Sequence, residues 1–220
     1  TFGPDGRLFF TLWKPRGNRS QLWALQGKKE TTEMVEVKGL LAKGFSSYQA
    51  DQLVSFLGHA DRRIRLQAQF ELATRKETNA LRAKVADDNA DLLPRLHALW
   101  GLGQLKSKDR DLLKLLCGDE DAEMRAQAVR WAGDLGFDPD NLVPSLLGDP
   151  SPRVRLMAGI ACGKLMSKDA LEPLTKLIVD AGNKETVLRH AGIFGLAGAA
   201  SPRELKSLSE HSSETLRIAA

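Results

Sequence analysis

The chain has 220 residues, of which 42% are hydrophobic and 27% charged, a balance that folds in water and excludes wholesale disorder. Lysine and arginine number 32 against 28 aspartates and glutamates, and the resulting net charge of +4 is not gathered into a block that would mark a nucleic-acid arm or a polybasic anchor. No run of about 18 apolar residues and no signal-peptide pattern occurs, so membrane insertion is not expected. The two cysteines, Cys117 and Cys162, fall where helices should be buried and read as free core thiols rather than a disulfide. The chain starts with Thr1 and stops inside LRIAA, which reads as a piece of a longer protein.

Taken in order, residues 1–38 form a unit of their own. A turn at Asp5-Gly6 leads into the aromatic-rich run from Pro4 to Trp13, and after the loop KPRGNRS a second strand is expected from Gln21 to Leu25. Two strands alone are marginal in water, so this hairpin must lean on the rest of the chain or on further sheet. A third extended run, Thr32 to Val37, either adds a strand or leads into the first helix.

From Gly39 the pattern is helical and periodic, and residues 39–220 read as five helix pairs and a truncated sixth. Ser46 and Gln49 have capping-box spacing, so a helix is expected to begin at Ser46 and run to about Leu57. The second helix of that unit opens at Asp61 and ends near Arg75. Further pairs are expected over Thr78–Ala86 with Asp91–Leu105, Asp109–Cys117 with Asp121–Leu135, and Asn141–Leu147 with Ser151–Leu165. Asp169–Asp180 pairs with Lys184–Ala199, and Ser201-Pro202-Arg203-Glu204 opens the sixth unit with cap, proline and glutamate in place.

An arginine returns in each second helix as Arg65, Arg95, Arg125, Arg155, Arg189 and Arg217, at steps of 30, 30, 30, 34 and 28 residues. Eight residues after it come Ala73, Gly103, Gly133, Gly163 and Ala197, where a neighbour's backbone is expected to come close. Four before it stand Asp61, Asp91 and Asp121, then Ser151, Glu185 and Ser213. A period of about 30 residues made of helix pairs implies an all-α, right-handed α-α superhelix, a solenoid in which no unit buries its apolar face alone.

FGPDGRLFFTLW followed by QLWAL resembles the last blade of propellers similar to sorbosone and glucose dehydrogenases. The following GLLAKGFSSYQADQLVSFLGHADRRIRLQAQFELA resembles the HEAT-type (PBS-lyase-like, armadillo-type) repeats that succeed that propeller in planctomycete-type membrane-bound dehydrogenase-like proteins. The resemblance implies an exported or periplasmic parent that often ends in a c-type haem domain, although no C-x-x-C-H motif stands here. It also implies that Asp61/Arg65, Asp91/Arg95 and Asp121/Arg125 link successive units as a structural ladder continued by Arg155, Arg189 and Arg217. An acid four residues before an arginine shares its helical face. Arg155, lacking that acid, is left to Asp149 or to the preceding carbonyls.

Placed on a wheel of 100° per residue, the second helices show a polar stripe of Gln67, His97 and Gln127, then Gln104, Asp134 and Lys164, flanked by Glu71, Arg130 and Trp131. In HEAT-like arrays this side is concave, which makes the stripe the candidate partner surface. Trp131 is expected to be its exposed aromatic anchor, and Trp100 to pack between helices. His59, His97, His190 and His211 read as falling at unrelated positions, none with a partner at metal-ligand spacing, and no catalytic motif or cofactor site is recognised.

These readings favour a non-enzymatic scaffold for a protein partner or for neighbouring domains of its parent chain. Nucleic-acid binding is the alternative, disfavoured by Asp134 and Glu71 on the stripe, and a spacer in a periplasmic haem-containing oxidoreductase is another.

Overall fold

A computed structural model describes residues 3, 7–12, 21–27 and 29–220. The turn at Asp5-Gly6, Trp13 and the loop over 14–20 lie outside the described residues. Strands β1 (Leu8–Leu12) and β2 (Gln21–Leu25) pair antiparallel, with Leu8 opposite Leu25 and Leu12 opposite Gln21. β2 is exposed along its length. Upstream of β1, the Gly3 carbonyl accepts a hydrogen bond from the Arg63 guanidinium.

The expected third strand is instead the start of a helix, α1 (Thr32–Lys43). Thr31 caps it by accepting from the Met34 amide at 3.3 Å. Met34, Val37, Leu40 and Leu41 then recur at helical spacing, with Val37 buried, and this period outweighs the weak alternation of the same residues. The expected boundary between residues 38 and 39 therefore falls inside α1.

The helix pairs follow in the order anticipated. They are α2 (Ala50–Phe56) with α3 (Arg62–Thr74), α4 (Thr78–Val85) with α5 (Leu92–Gln104), and α6 (Arg110–Cys117) with α7 (Ala122–Leu135). In the fourth unit the first element is a 3₁₀ helix, Val143–Gly148, before α8 (Pro152–Leu165). In the fifth, a 3₁₀ turn over Lys168–Ala170 precedes α9 (Leu171–Ala181), which pairs with α10 (Thr186–Ala199); α11 (Pro202–Leu208) and α12 (Glu214–Ala219) close the described chain. The result is a right-handed α-α superhelix with a short hairpin at its N-terminal end.

Local chemistry sets the ends. The capping box before α2 lies three residues later than expected: Gln49 is the N-cap, and its amide donates to Gln52 Oε1 at 3.0 Å. The box at α11 lies where the sequence placed it, the Ser201 amide donating to Glu204 Oε2 at 2.6 Å and the Glu204 amide to Ser201 Oγ at 3.3 Å. One apolar core runs from Val37 through Leu53, Leu72, Leu81, Leu102, Leu116 and Met124 to Leu174, joining the first five units, and a second cluster of Ile178, Leu196 and Leu216 joins the fifth to the sixth. Cys162 is buried and Cys117 half-buried, both free, and burial pushes both thiols up to about 12, so neither is a nucleophile near neutrality.

Candidate binding groove on the second helices

The repeated arginines do the same job in almost every unit, the bond to preceding carbonyls that was one of the two options for Arg155. Arg65 Nη1 donates to the carbonyls of His59 and Ala60 at 2.7 and 2.8 Å, and Arg125 Nη1 to those of Asp119 and Glu120 at 2.7 and 3.0 Å. Arg155 reaches Asp149 and Pro150 at 2.8 and 3.1 Å, and Arg217 reaches His211 and Ser212, both at 2.9 Å. Arg189 bonds the enlarged turn through the Gly182 carbonyl at 3.2 Å. A helical side chain points back toward its own N-terminus, so each guanidinium lies over the turn that precedes its helix.

The acids four residues earlier are caps rather than partners. Asp61 accepts from the Arg63 amide at 2.8 Å and pairs with the Arg63 side chain at 2.7 Å; Asp121 accepts from the Glu123 amide at 2.7 Å. Asp91 is an exposed N-cap without a side-chain cap bond. The carboxylates that join successive units lie six residues before the next unit's arginine. Arg95, buried, pairs with Asp119, and Arg125 pairs with Asp149 at 2.8 Å. Burial opposes ionisation of Asp149, but Arg125, the Ser151 amide and Arg155 together hold its carboxyl below the usual range.

That position recurs as His59, Asp119, Asp149 and His211, and each side chain accepts from the backbone amide two residues on, at 2.8 to 3.0 Å. His59 and His211 are thus equivalent, against the expectation that the histidines are unrelated. The signal was available: aligning the units six residues before the arginine, rather than four, brings these side chains into one column.

The expected stripe divides into a buried and an exposed part. Gln67, Gln104, Arg130, Asp134 and Lys164 are exposed and Glu71 is half-buried, its carboxylate held by Arg75 at 2.8 Å. His97 and Gln127 are buried. His97 is 2% exposed between α3 and α5, where Arg65 Nε donates to its Nε2 at 3.1 Å. That bond leaves the proton on Nδ1, which donates to Gln69 Oε1 at 2.7 Å. Burial, with the Arg65 and Arg62 charges, lowers the His97 pKa to about 4, so the ring is neutral near pH 7.

The two tryptophans exchange their expected places. Trp131 is 5% exposed and its indole N–H has no acceptor among the described residues. Its Cδ1 lies 3.7 Å from where a Cβ on Gly103 would sit, so the ring faces α5 at that glycine. Trp100 is 36% exposed; its indole N–H donates to Gln127 Oε1 at 3.0 Å, and its ring stands edge-on to His97 at 4.9 Å between centroids. Phe70 and Phe194, in the column of Trp100, are exposed at 44% and 46%. Sequence columns alone could not separate these cases, because Trp131 shares its own column with Gly101 and Ala161, and small neighbours accommodate either a protruding ring or one folded inward.

Phe70, Trp100 and Trp131 line a groove of about 520 Å³ between α3, α5 and α7, with Leu66 and Leu99 as further apolar lining and Arg62, Arg130 and Asp134 as its charged groups. A second hollow, about 650 Å³, lies between the 3₁₀ helix Val143–Gly148 and α9, where a full first helix is replaced by a shorter one. Of its charged groups, Lys176 is taken by Asp180 at 2.7 Å and Arg155 lies 3.9 Å from Glu185, so it offers no unpaired cation row. Among the described residues no three of His, Cys, Asp and Glu converge to hold a metal, and no helix is long and apolar enough to cross a membrane.

No curated protein matches the chain. A solved structure, the crystal structure of an engineered protein, is similar at 16% identity and TM-score 0.42, covering 77% of this chain and 92% of the other. Residues 110–197, from α6 to near the end of α10, match the family described as HEAT repeats. Over those residues the chain is similar to HEAT repeats, and the pairing of helices continues on either side of them.

Proposed function

We propose that the chain is a non-enzymatic scaffold that mediates protein–protein or interdomain contact through the second-helix groove between α3, α5 and α7. The observation that carries this reading is the exposed aromatic pair Phe70 and Trp100 over an apolar floor, since solvent-facing rings beside a hollow are what interface anchors look like before a partner covers them. HEAT repeats commonly mediate protein interactions, which supports the same reading. As a finer proposal, the helices hold apart neighbouring domains of an exported, dehydrogenase-like parent. That part rests on the resemblance of the first strands to a propeller blade.

The test is site-specific photo-crosslinking in the parent organism's extract or in the parent chain. Phe70→p-benzoylphenylalanine should give one defined adduct, and the same substitution at Leu115, exposed on α6, should give none. Equal labelling from both positions, or none from position 70, would remove the groove as the contact surface. Position 70 serves better than Trp131, because truncating a buried ring would disturb the fold as well as any interface.

A further inference from the structure

We infer that the groove takes an acidic peptide segment anchored by one apolar side chain. This rests on the groove being a contact surface, as proposed above, and adds the chemistry of what it contacts.

The charges around it are unbalanced. Arg62 is exposed at the groove and no carboxylate among the described residues pairs with it. Arg130 is exposed too, and its closest acid, Asp134, stands 3.4 Å away while its other oxygen is taken by Lys164 from the next unit. Two guanidiniums therefore face one carboxylate that is already shared. Several other cations of the second helices are matched by acids: Arg75 by Glu71, Arg63 by Asp61 and Arg153 by Glu123.

The apolar part lies between those two cations. Phe70 and Trp100 stand as walls over Leu66 and Leu99, in a volume that accepts side chains rather than a folded surface. Trp131 closes the α7 side of the apolar lining with a ring that is 5% exposed. Arginine suits carboxylate by its paired donors, and an apolar anchor flanked by acids matches the arrangement of walls and guanidiniums. A nucleic acid fits less well, because a phosphate backbone is held by a row of cations and the groove offers two.

The experiment uses fluorescein-labelled decapeptides and the whole chain, read by anisotropy. The first peptide carries a central phenylalanine between glutamates; the others replace the glutamates by glutamine, or by lysine, or the phenylalanine by alanine. The acidic phenylalanine peptide should bind at least about tenfold more tightly than the glutamine or alanine versions. Arg62→Glu with Arg130→Glu should abolish that preference and favour the lysine peptide, with helical circular dichroism unchanged since both side chains are exposed. Phe70→Ser should weaken the phenylalanine peptide towards the alanine one.

Equal binding of the acidic and glutamine peptides, indifference to the double charge reversal, or displacement of the peptide by oligothymidine would overturn the inference, the last by making the groove a polyanion site. A crosslinked partner at position 70 whose contact segment carries no acids would overturn it while leaving the scaffold reading in place. Failure of that crosslink would count against the scaffold reading first.

Discussion

Between α3, α5 and α7 the second helices are bridged by side chains, whereas between α8 and α10 they meet through their backbones. In the first region Arg65 and Gln69 hold His97, and Trp100 holds Gln127, which in turn donates to Glu123 at 2.7 Å. In the second, a Cβ on Gly159 would stand 2.9 Å from the Ala191 carbonyl oxygen, one on Gly163 2.7 Å from that of Phe194, and one on Gly195 2.6 Å from that of Gly159. Gly133 on α7 makes the transition, meeting Ala161 of α8. The same repeat is thus built in two ways. Long side chains keep helices apart and leave a groove that charged and aromatic groups can line; glycines close the gap and leave nothing to bind with.

The sharpest way to break the first region is to remove one partner of its buried ion pair. Asp119→Ala strands Arg95, which is buried and keeps only the Val85 carbonyl at 3.0 Å and a distant Asp88 at 3.8 Å. The expected loss is about 3 to 5 kcal/mol, seen in urea denaturation. A loss under about 1 kcal/mol would mean that the pair adds little to the junction between the second and third units.

The corresponding break in the second region is steric. Gly195→Ala would press a methyl group against the Gly159 carbonyl oxygen and against Leu174, so α8, α9 and α10 must separate, at a cost of about 3 kcal/mol. Hydrogen exchange should show the loss in α8 and α10 and spare α3, since each repeat couples chiefly to its neighbours. Uniform loss along the chain would show that the two regions unfold as one.

Acid separates the regions by chemistry. His97 has a folded pKa of about 4 against an ordinary 6.5, so between those values the unfolded chain binds the extra proton. Stability is complete above about pH 6.5 and falls as the pH drops toward 4, by on the order of 3 kcal/mol for a ring this buried. The contribution of Asp149, whose pKa is lowered, is present above the ordinary carboxylate pKa and is lost only as the pH falls through its depressed value. Exchange at pH 5 should therefore loosen α2 and α3 first, with the junction of Arg125 and Asp149 still closed. Simultaneous loosening would show that His97 does not govern the first junction.

How much of this was legible follows from the length scale of each interaction. The arginine period and the glycine columns are properties of one position per unit, and they marked the repeat, the helix pairs and the close contacts at Gly133 and Gly163. The sites where reading along the sequence went astray involve two units at once. Asp61 and Asp121 have the right spacing for a pair with Arg65 and Arg125, but as N-caps their carboxylates are already committed to amides. Whether a tryptophan in a given column faces in or out depends on the gap between its helix and the one before it, and Trp131 folds inward, facing Gly103 of α5. α1 was misread because Thr32 to Val37 is too short a window to tell a weak period of two from one of 3.6.

Gly103 is also where the two designs can be compared with a single methyl group. It has the column and the residue type of Gly133 and Gly163, yet a Cβ there would meet only Trp131 Cδ1, at 3.7 Å, an ordinary van der Waals contact. Nothing must move to admit it, and an alanine inside a helix loses less backbone entropy on folding than glycine. Gly103→Ala should accordingly stabilise the chain by about 0.5 to 1 kcal/mol, where Gly163→Ala, with a Cβ 2.7 Å from the Phe194 carbonyl oxygen, should destabilise it. Denaturation midpoints moving in opposite directions for these two equivalent positions would confirm that side-chain bridging replaces backbone contact in the first units. A loss at Gly103 comparable to that at Gly163 would mean that α5 and α7 are as closely packed as α8 and α10, and the groove between them would not exist in solution.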